Sequence, residues 1–312
     1  MSERHLPFLG SWNRYWFAPE SPANLGLCRC LFFSALCVCY WNQDFSAWGD
    51  VSLAFWFPMT LFTRLRLLPF TVPALSLMTE VWKVSLAFAA VGLATRVATP
   101  VAFLLGTYLL GLPHNFGKMH HFDAMLVLVL GILAVSRCGA AWSVDRVIAQ
   151  ARGKSEPEPS GEYRWPVRAV WLVLSLVFFG AGVSKLRHGG IAWVRSDNMS
   201  ITLVQHAYQI ANENPATSWG LWVARVPYLS KLMALGTIII ETGYPLSLFS
   251  RRARWFFPPA MCGALVGIRL LMGPTFSQLV ICHLFWVPWD RVACWFVRVG
   301  RRNPADAGNP GT

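Results

Sequence analysis

The chain has 312 residues, of which 55% are apolar and only 13% charged, with a mean hydropathy of +0.43. Soluble domains carry about 25% charged residues, and several windows here reach the ~20 apolar residues that cross a bilayer, which excludes an ordinary soluble globule. The formal charge is +12, but no basic run is interleaved with exposed aromatics, so the cations point to a lipid bilayer and its anionic headgroups, with no nucleic acid as partner.

The first segment, residues 1–24, contains "RYWFAPESPANL" and suits an interfacial, cytoplasmic N-terminus; its opening residues lack the apolar core of a cleavable signal. A first span is expected over residues 25–41, with Arg29 one turn in. Residues 42–73 form a long connection whose "VSLAFWFPMTLF" is apolar, short and broken by Pro58, as in a re-entrant or interfacial piece. The second span, 74–94, carries Glu80 and Lys83 at a spacing that pairs them on one helix face. Spans at 97–112 and 122–135 follow. Residues 146–166, "RVIAQARGKSEPEPSGEYRWP", form a flexible linker, because a Ser/Glu/Pro/Gly mixture cannot bury itself. The fifth span is 167–183, and the polar connection 184–228 is expected to be partly helical and surface-lying. Spans at 232–249, 255–272 and 278–297 complete a transmembrane domain over residues 25–297, and residues 298–312 form a disordered tail. The expected fold is therefore all-α, a polytopic transmembrane helical bundle of about eight spans without a large soluble domain.

Orientation follows the cations. Arg146, Arg152, Lys154 and Arg164, then Arg251, Arg252 and Arg254, then Arg298, Arg301 and Arg302 fall on one side of an eight-span chain, which puts both termini in the cytoplasm. Arg64 and Arg66 go against the rule, as long loops do. The cysteine runs "CRC" and "CVC" lack the spacing of zinc or redox sites.

On that topology "PHNFGKMHHFD", residues 113–123, and Lys185 come to the same outer side. Lys185 lies in "GAGVSKLRHGGIAW", directly after an apolar run. A desolvated ammonium loses stability relative to the amine, and a neutral lysine is a usable base. Gly180, Ala181 and Gly182 allow another helix or a flat ligand to come close. The same lysine also reads as a snorkelling span terminator, alongside Arg187 and His188. His114, His120 and His121 suit donors to the polar head of a ligand or plain interfacial groups; their spacing is not that of a helical zinc pair, and no metal is expected. Glu241 and Arg269 either pair with one another or line a cavity.

Three stretches, "AAWSVDRV" (140–147), "FFGAGVSKLRHGGIAWVRSDNMS" (178–200) and "ETGYPLSLF" (241–249), resemble the horizontally transferred transmembrane (HTTM) domain family, which includes vitamin K-dependent gamma-carboxylase. The match is carried by Phe179, Ala181, Gly182, Lys185, Leu186 and Trp193, and upstream by Trp142, Ser143 and Asp145; it extends over residues 17–295. The resemblance implies that Lys185 is the base that deprotonates reduced vitamin K or another quinol. With oxygen, this generates the strong base that opens a glutamate γ-carbon to carbon dioxide. His121 falls on or beside a family histidine near the quinone, and both it and Lys185 are the expected catalytic residues. His114, His120, Trp142, Asp145, Trp193, Glu241 and Arg269 are the expected quinone-binding set. The implied partners are a lipid-soluble quinone and an extracytoplasmic peptide or partner protein, and the implied location is a bacterial inner membrane. Two departures matter: Arg269 stands where the family has a histidine, and the large lumenal part of the animal carboxylases has no counterpart here. They keep open a second reading, a non-catalytic scaffold or a lipid- or quinone-binding protein. The spans show no clear inverted repeat, which weighs against a transporter.

Overall fold

Serine, proline and glycine set many of the helix ends. Ser21, Ser143 and Ser250 each accept a backbone N–H of the turn they precede, and Gly92 and Gly273, with φ of +76° and +98°, stop helices that a side chain would have continued. In the computed structural model, which describes residues 7–117, 122–210 and 217–300, these signals delimit sixteen α-helices and, among the described residues, no strand. In chain order they are α1 (Pro7–Phe17), α2 (Pro22–Tyr40), α3 (Thr60–Leu65), α4 (Val72–Val91), α5 (Thr95–Gly111), α6 (Phe122–Ala134), α7 (Val144–Ala151) and α8 (Trp165–Gly189). Then come α9 (Ala192–Arg195), α10 (Asn198–Ile210), α11 (Thr217–Ala224), α12 (Pro227–Gly243), α13 (Leu246–Phe249), α14 (Arg251–Met272), α15 (Ser277–Cys282) and α16 (Trp289–Gly300).

Five stretches are long and apolar enough to cross a membrane: α2, α4, α8, α14, and α5 together with the 3-10 turn that continues it to Phe116. Their outward faces carry Val38, Leu77, Leu104, Leu176 and Trp255, all exposed. Apolar residues on every face of a helix suit surroundings of lipid. The remaining three expected spans are shorter or broken. α6 has 13 residues. α11 and α12 are bent by 103° at their junction and count as one crossing only if taken together. The expected last span is interrupted: α15 runs into a 3-10 turn, His283–Trp286, and α16 begins after Pro288. Proline lacks the helical donor and disfavours helical geometry in the residue before it, which ends the run at Val287.

One other expectation changes. The 146–166 linker is tied down at both ends. α7 occupies its start, Glu20 and Ser160 exchange backbone hydrogen bonds at 3.1 and 3.2 Å, and Arg137 and Arg164 hold Glu162 and Glu20 at 2.9 and 3.5 Å. The pairing that holds it is long-range, which is why local composition concealed it. The 42–73 connection is a series of 3-10 turns and the short helix α3, with Leu53, Phe55, Phe57, Leu65 and Leu68 exposed. Glu80 and Lys83 pair at 2.9 Å as the spacing predicts. The expected tail lies outside the described residues from position 301.

The chain divides into two units. One comprises residues 1–119, 130–168 and 287–312; the other comprises 120–129 and 169–286. In the first unit α4 packs between α2 and α5. Trp82, fully buried, donates its indole N–H to the Ala102 carbonyl at 3.0 Å, and Tyr40 meets its ring edge-on at 5.4 Å. In the second unit α12 packs against α9, α10, α11 and α14, and an aromatic cluster of Trp171, Phe178, Tyr244 and Trp286 fills the core.

Candidate functional site

The site grows from a missing side chain. In the second unit α8 passes α12 at Gly182, where an added Cβ would lie 2.8 Å from Thr242 Cγ2 and 3.0 Å from Glu241 Cβ. Glycine there lets the two helices close on each other. One turn further along α8, Lys185 then reaches Glu241: its Nζ lies 2.6 Å from both carboxylate oxygens. The side chains are 22% and 11% exposed. A lone charge on an apolar helix is costly, and this geometry cancels the net charge with two charge-assisted bonds. Gly180, by contrast, faces open space within 4 Å, so only the second of the two glycines serves the helix contact.

The third member arrives by a chain reversal. Gly190, with φ of +53°, turns the backbone after α8, and Trp193 returns over the last turn. The Lys185 ammonium sits 5.8 Å from the Trp193 ring centroid, within reach of a cation–π contact. The Trp193 indole N–H is shielded from solvent and has no hydrogen-bond partner among the described residues. Such a donor is costly to leave unmet, and a hydrogen-bond acceptor from outside the chain would satisfy it.

α12 is held in register by a buried pair one turn beyond Glu241. His283 Nδ1 lies 2.8 Å from the Leu279 carbonyl, which makes Nδ1 the protonated nitrogen. Nε2 is then the acceptor for the Tyr244 hydroxyl at 2.9 Å. Phe178 of α8 packs on Tyr244 at 4.8 Å between ring centroids. Trp286 meets Tyr244 at 5.9 Å and stacks on Trp171 at 4.3 Å. These contacts align α8 with α12 and so position Lys185 against Glu241.

Of the residues singled out from sequence, Lys185, Glu241 and Trp193 come together. Arg269 does not pair with Glu241: it is exposed and donates to the Gly273 carbonyl at the C-terminus of its own helix α14, a local capping bond that its place in the last turn favours. The isolated amine expected at position 185 is replaced by a pair, because Glu241 is the carboxylate the helix crossing brings to it. His120 and His121 lie outside the described residues.

His114, Trp142 and Asp145 belong to the first unit. His114 is half-buried in the 3-10 turn Leu112–Phe116. Asp145 caps α5: its carboxylate accepts from the Ala94 and Thr95 amides at 2.7 and 2.8 Å and from the Thr95 hydroxyl at 2.7 Å. Partial burial pushes this carboxyl up, but the bonds from Thr95 and Ala94, with the nearby Arg29 charge, outweigh that and hold it below the ordinary range. Trp142 is exposed at a φ of +52°, and its carbonyl accepts from Arg29. Arg29 itself is fully buried and also donates to the Ala89 and Ala90 carbonyls in the last turn of α4. The W-S-x-D stretch therefore builds the junction between α4 and α5.

Sequence reasoning missed the Tyr244–His283 pair and the partners of Arg29. A histidine inside an apolar run, "LVICHLFW", was the available signal for the first. No family model matches this chain, and no curated protein and no solved structure matches it. The fold and the site are those of an all-helical chain consistent with an integral membrane protein, with an ion pair set between two apolar helices.

Proposed function

We propose that the protein is a multi-pass membrane enzyme that binds a lipid-soluble quinol at Lys185, Glu241 and Trp193 and uses the Lys185–Glu241 pair as its acid–base element. The reading keeps about eight crossings, with α6, α12 and the 277–297 stretch added to the five long helices and both termini in the cytoplasm. The observation that carries it is the 2.6 Å chelation of Lys185 Nζ by both Glu241 oxygens beside an unmet indole N–H. In low dielectric an ammonium–carboxylate pair and its amine–carboxylic acid form approach one another in free energy, since desolvation penalises both charges. Proton transfer to Glu241 frees the Lys185 amine to accept a proton from a hydroxyl within hydrogen-bond reach. The Trp193 N–H donates to an oxygen of the bound molecule and fixes its orientation. The quinol supplies the reducing equivalents that, with oxygen, yield a base strong enough for carboxylation. Carbon dioxide and an acidic extracytoplasmic side chain would be its further substrates.

A second reading rests on the same pair: α8 and α12 are fastened at Gly182, and the ion pair is a strut in a non-catalytic, lipid- or quinone-binding scaffold. The charge-swapped variant Lys185→Glu/Glu241→Lys separates them, with oxygen uptake measured in nanodiscs supplied with a reduced naphthoquinone. The enzyme reading expects uptake by the natural pair and none by the swapped one, with the thermal midpoint of both preserved. Absence of uptake by the natural protein leaves the scaffold.

A further inference from the structure

The eight-residue helix α7 is turned inside out for a helix in water. Val144, Val147, Ile148 and Ala151 form one stripe at helical spacing, and all four are exposed; Trp142, just before the helix, is exposed as well. Val147 is 63% and Trp142 57% exposed. The polar side chains bond back to the chain itself: Asp145 and Arg146 are half-buried, and Gln150 is exposed. Arg146 donates to the Ser155 carbonyl at 2.8 Å, Gln150 donates to Glu156 at 3.2 Å, and Asp145 is half-buried on the α5 N-terminus. The chain thus ties the polar side chains to its own 154–156 segment and to the start of α5, while the apolar stripe stays exposed.

The position of α7 says what covers that side. The Asp145 carboxylate sits on the first amides of α5, the Asp145 amide donates to the Gly92 carbonyl at the end of α4 at 2.9 Å, and Arg29 bonds the last turn of α4 to Trp142. α4 and α5 are both long enough to cross a membrane, so α7 starts where two crossings turn round. That is the level of a bilayer face. Exposed Arg152 and Lys154 follow directly, with stems long enough to bring their cations to lipid phosphates.

We propose that α7 is an in-plane membrane anchor, with Trp142, Val144, Val147 and Ile148 immersed in the headgroup–acyl boundary of the bilayer that the spans cross. It holds the 137–164 connection flat on the membrane and braces the α4–α5 turn from outside. The occupant is lipid: the stripe is short, flanked by cations and continuous with the ends of two apolar spans, which suits a headgroup layer better than a second copy of the chain.

The test is photolabelling of the whole protein in nanodiscs made with a phosphatidylcholine that carries a diazirine near the top of one acyl chain. Adducts are mapped by mass spectrometry. Adducts at Trp142, Val147 and Ile148, at a level within about threefold of those on the exposed span residue Leu104, support the anchor. In Val147→Asp/Ile148→Asp, the Trp142 adduct falls by at least ~5-fold while the Leu104 adduct persists. Labelling of Leu104 without labelling of residues 142–148 in the unaltered protein overturns the proposal, as does a zero-length cross-link from that stripe to a second copy. The unaltered protein alone decides the matter if the double variant fails to fold.

Discussion

Arg29→Leu should destabilise the first unit strongly. The last carbonyls of any helix lack a partner in their own helix. In α4 the Phe88 carbonyl accepts from Gly92 and Leu93, but those of Ala89 and Ala90 depend on the Arg29 guanidinium, as does the carbonyl of Trp142. Leucine leaves these acceptors unmet in a place where Arg29 is fully buried. A buried orphan costs about 1–3 kcal/mol. Relief of the guanidinium's own desolvation, and of its unpartnered Nε, offsets part of the loss. Taking the low end for each of three carbonyls gives a net cost of about 3 kcal/mol. At about 2–4 °C per kcal/mol, the midpoint falls by roughly 6–12 °C. Fluorescence-detected size exclusion after a heating series reads this directly. The exposed Arg187→Leu should move by less than about 2 °C. Gly92→Ala should approach the Arg29 effect, since its Cβ would meet Arg29 Nη1 at 2.7 Å from a backbone at φ +76°. If Arg29→Leu melts with Arg187→Leu, the carbonyls have another source of donors and the reasoning fails.

Three further outcomes follow from named contacts. Gly182→Leu forces α8 away from Thr242 and Glu241 and should cost about 1–3 kcal/mol, whereas Gly180→Ala, with nothing within 4 Å, should melt like the natural protein; equal midpoints would refute the close crossing. Tyr244→Phe leaves His283 Nε2 without its donor and should cost about 1–3 kcal/mol, and much of that loss should vanish in the His283→Leu background, which a double-mutant cycle measures. Asp145 has its folded-state value depressed below the ordinary 3.8, so its contribution is present above that value and lost as pH falls through the lower folded one. Asp145→Asn should flatten the acid limb of the stability profile and cost about 1 kcal/mol at neutral pH; an unchanged acid limb would contradict the cap.

The spans were legible where one local rule governed them. Apolar runs of sufficient length gave α2, α4, α5, α8 and α14, and the three-residue spacing gave the Glu80–Lys83 pair. The break inside the last expected span was not legible, because hydropathy alone does not register Pro288, which separates the 277–286 segment from the amphipathic α16. The linker looked mobile because its composition is polar, yet its order comes from Glu20, a partner far away in sequence. Lys185 and Gly182 stood out in the sequence, but nothing local distinguished Lys185 from Arg269 as the partner of Glu241. That choice depends on which helices cross, and the Gly182–Thr242 approach decides it. Arg29 was visible as a charge in a span; its three carbonyl acceptors are set by the chain path between α4 and residue 142.

The central claim is that Lys185 exchanges a proton and does not merely hold Glu241. Arginine keeps the charge and the bidentate reach but does not give up its proton. The decisive quantity is the oxygen-uptake rate of Lys185→Arg relative to the natural protein, in nanodiscs with a reduced naphthoquinone. The account predicts an unaltered melting midpoint and a rate lower by at least ~100-fold. A Lys185→Arg protein that consumes oxygen at the natural rate would contradict it.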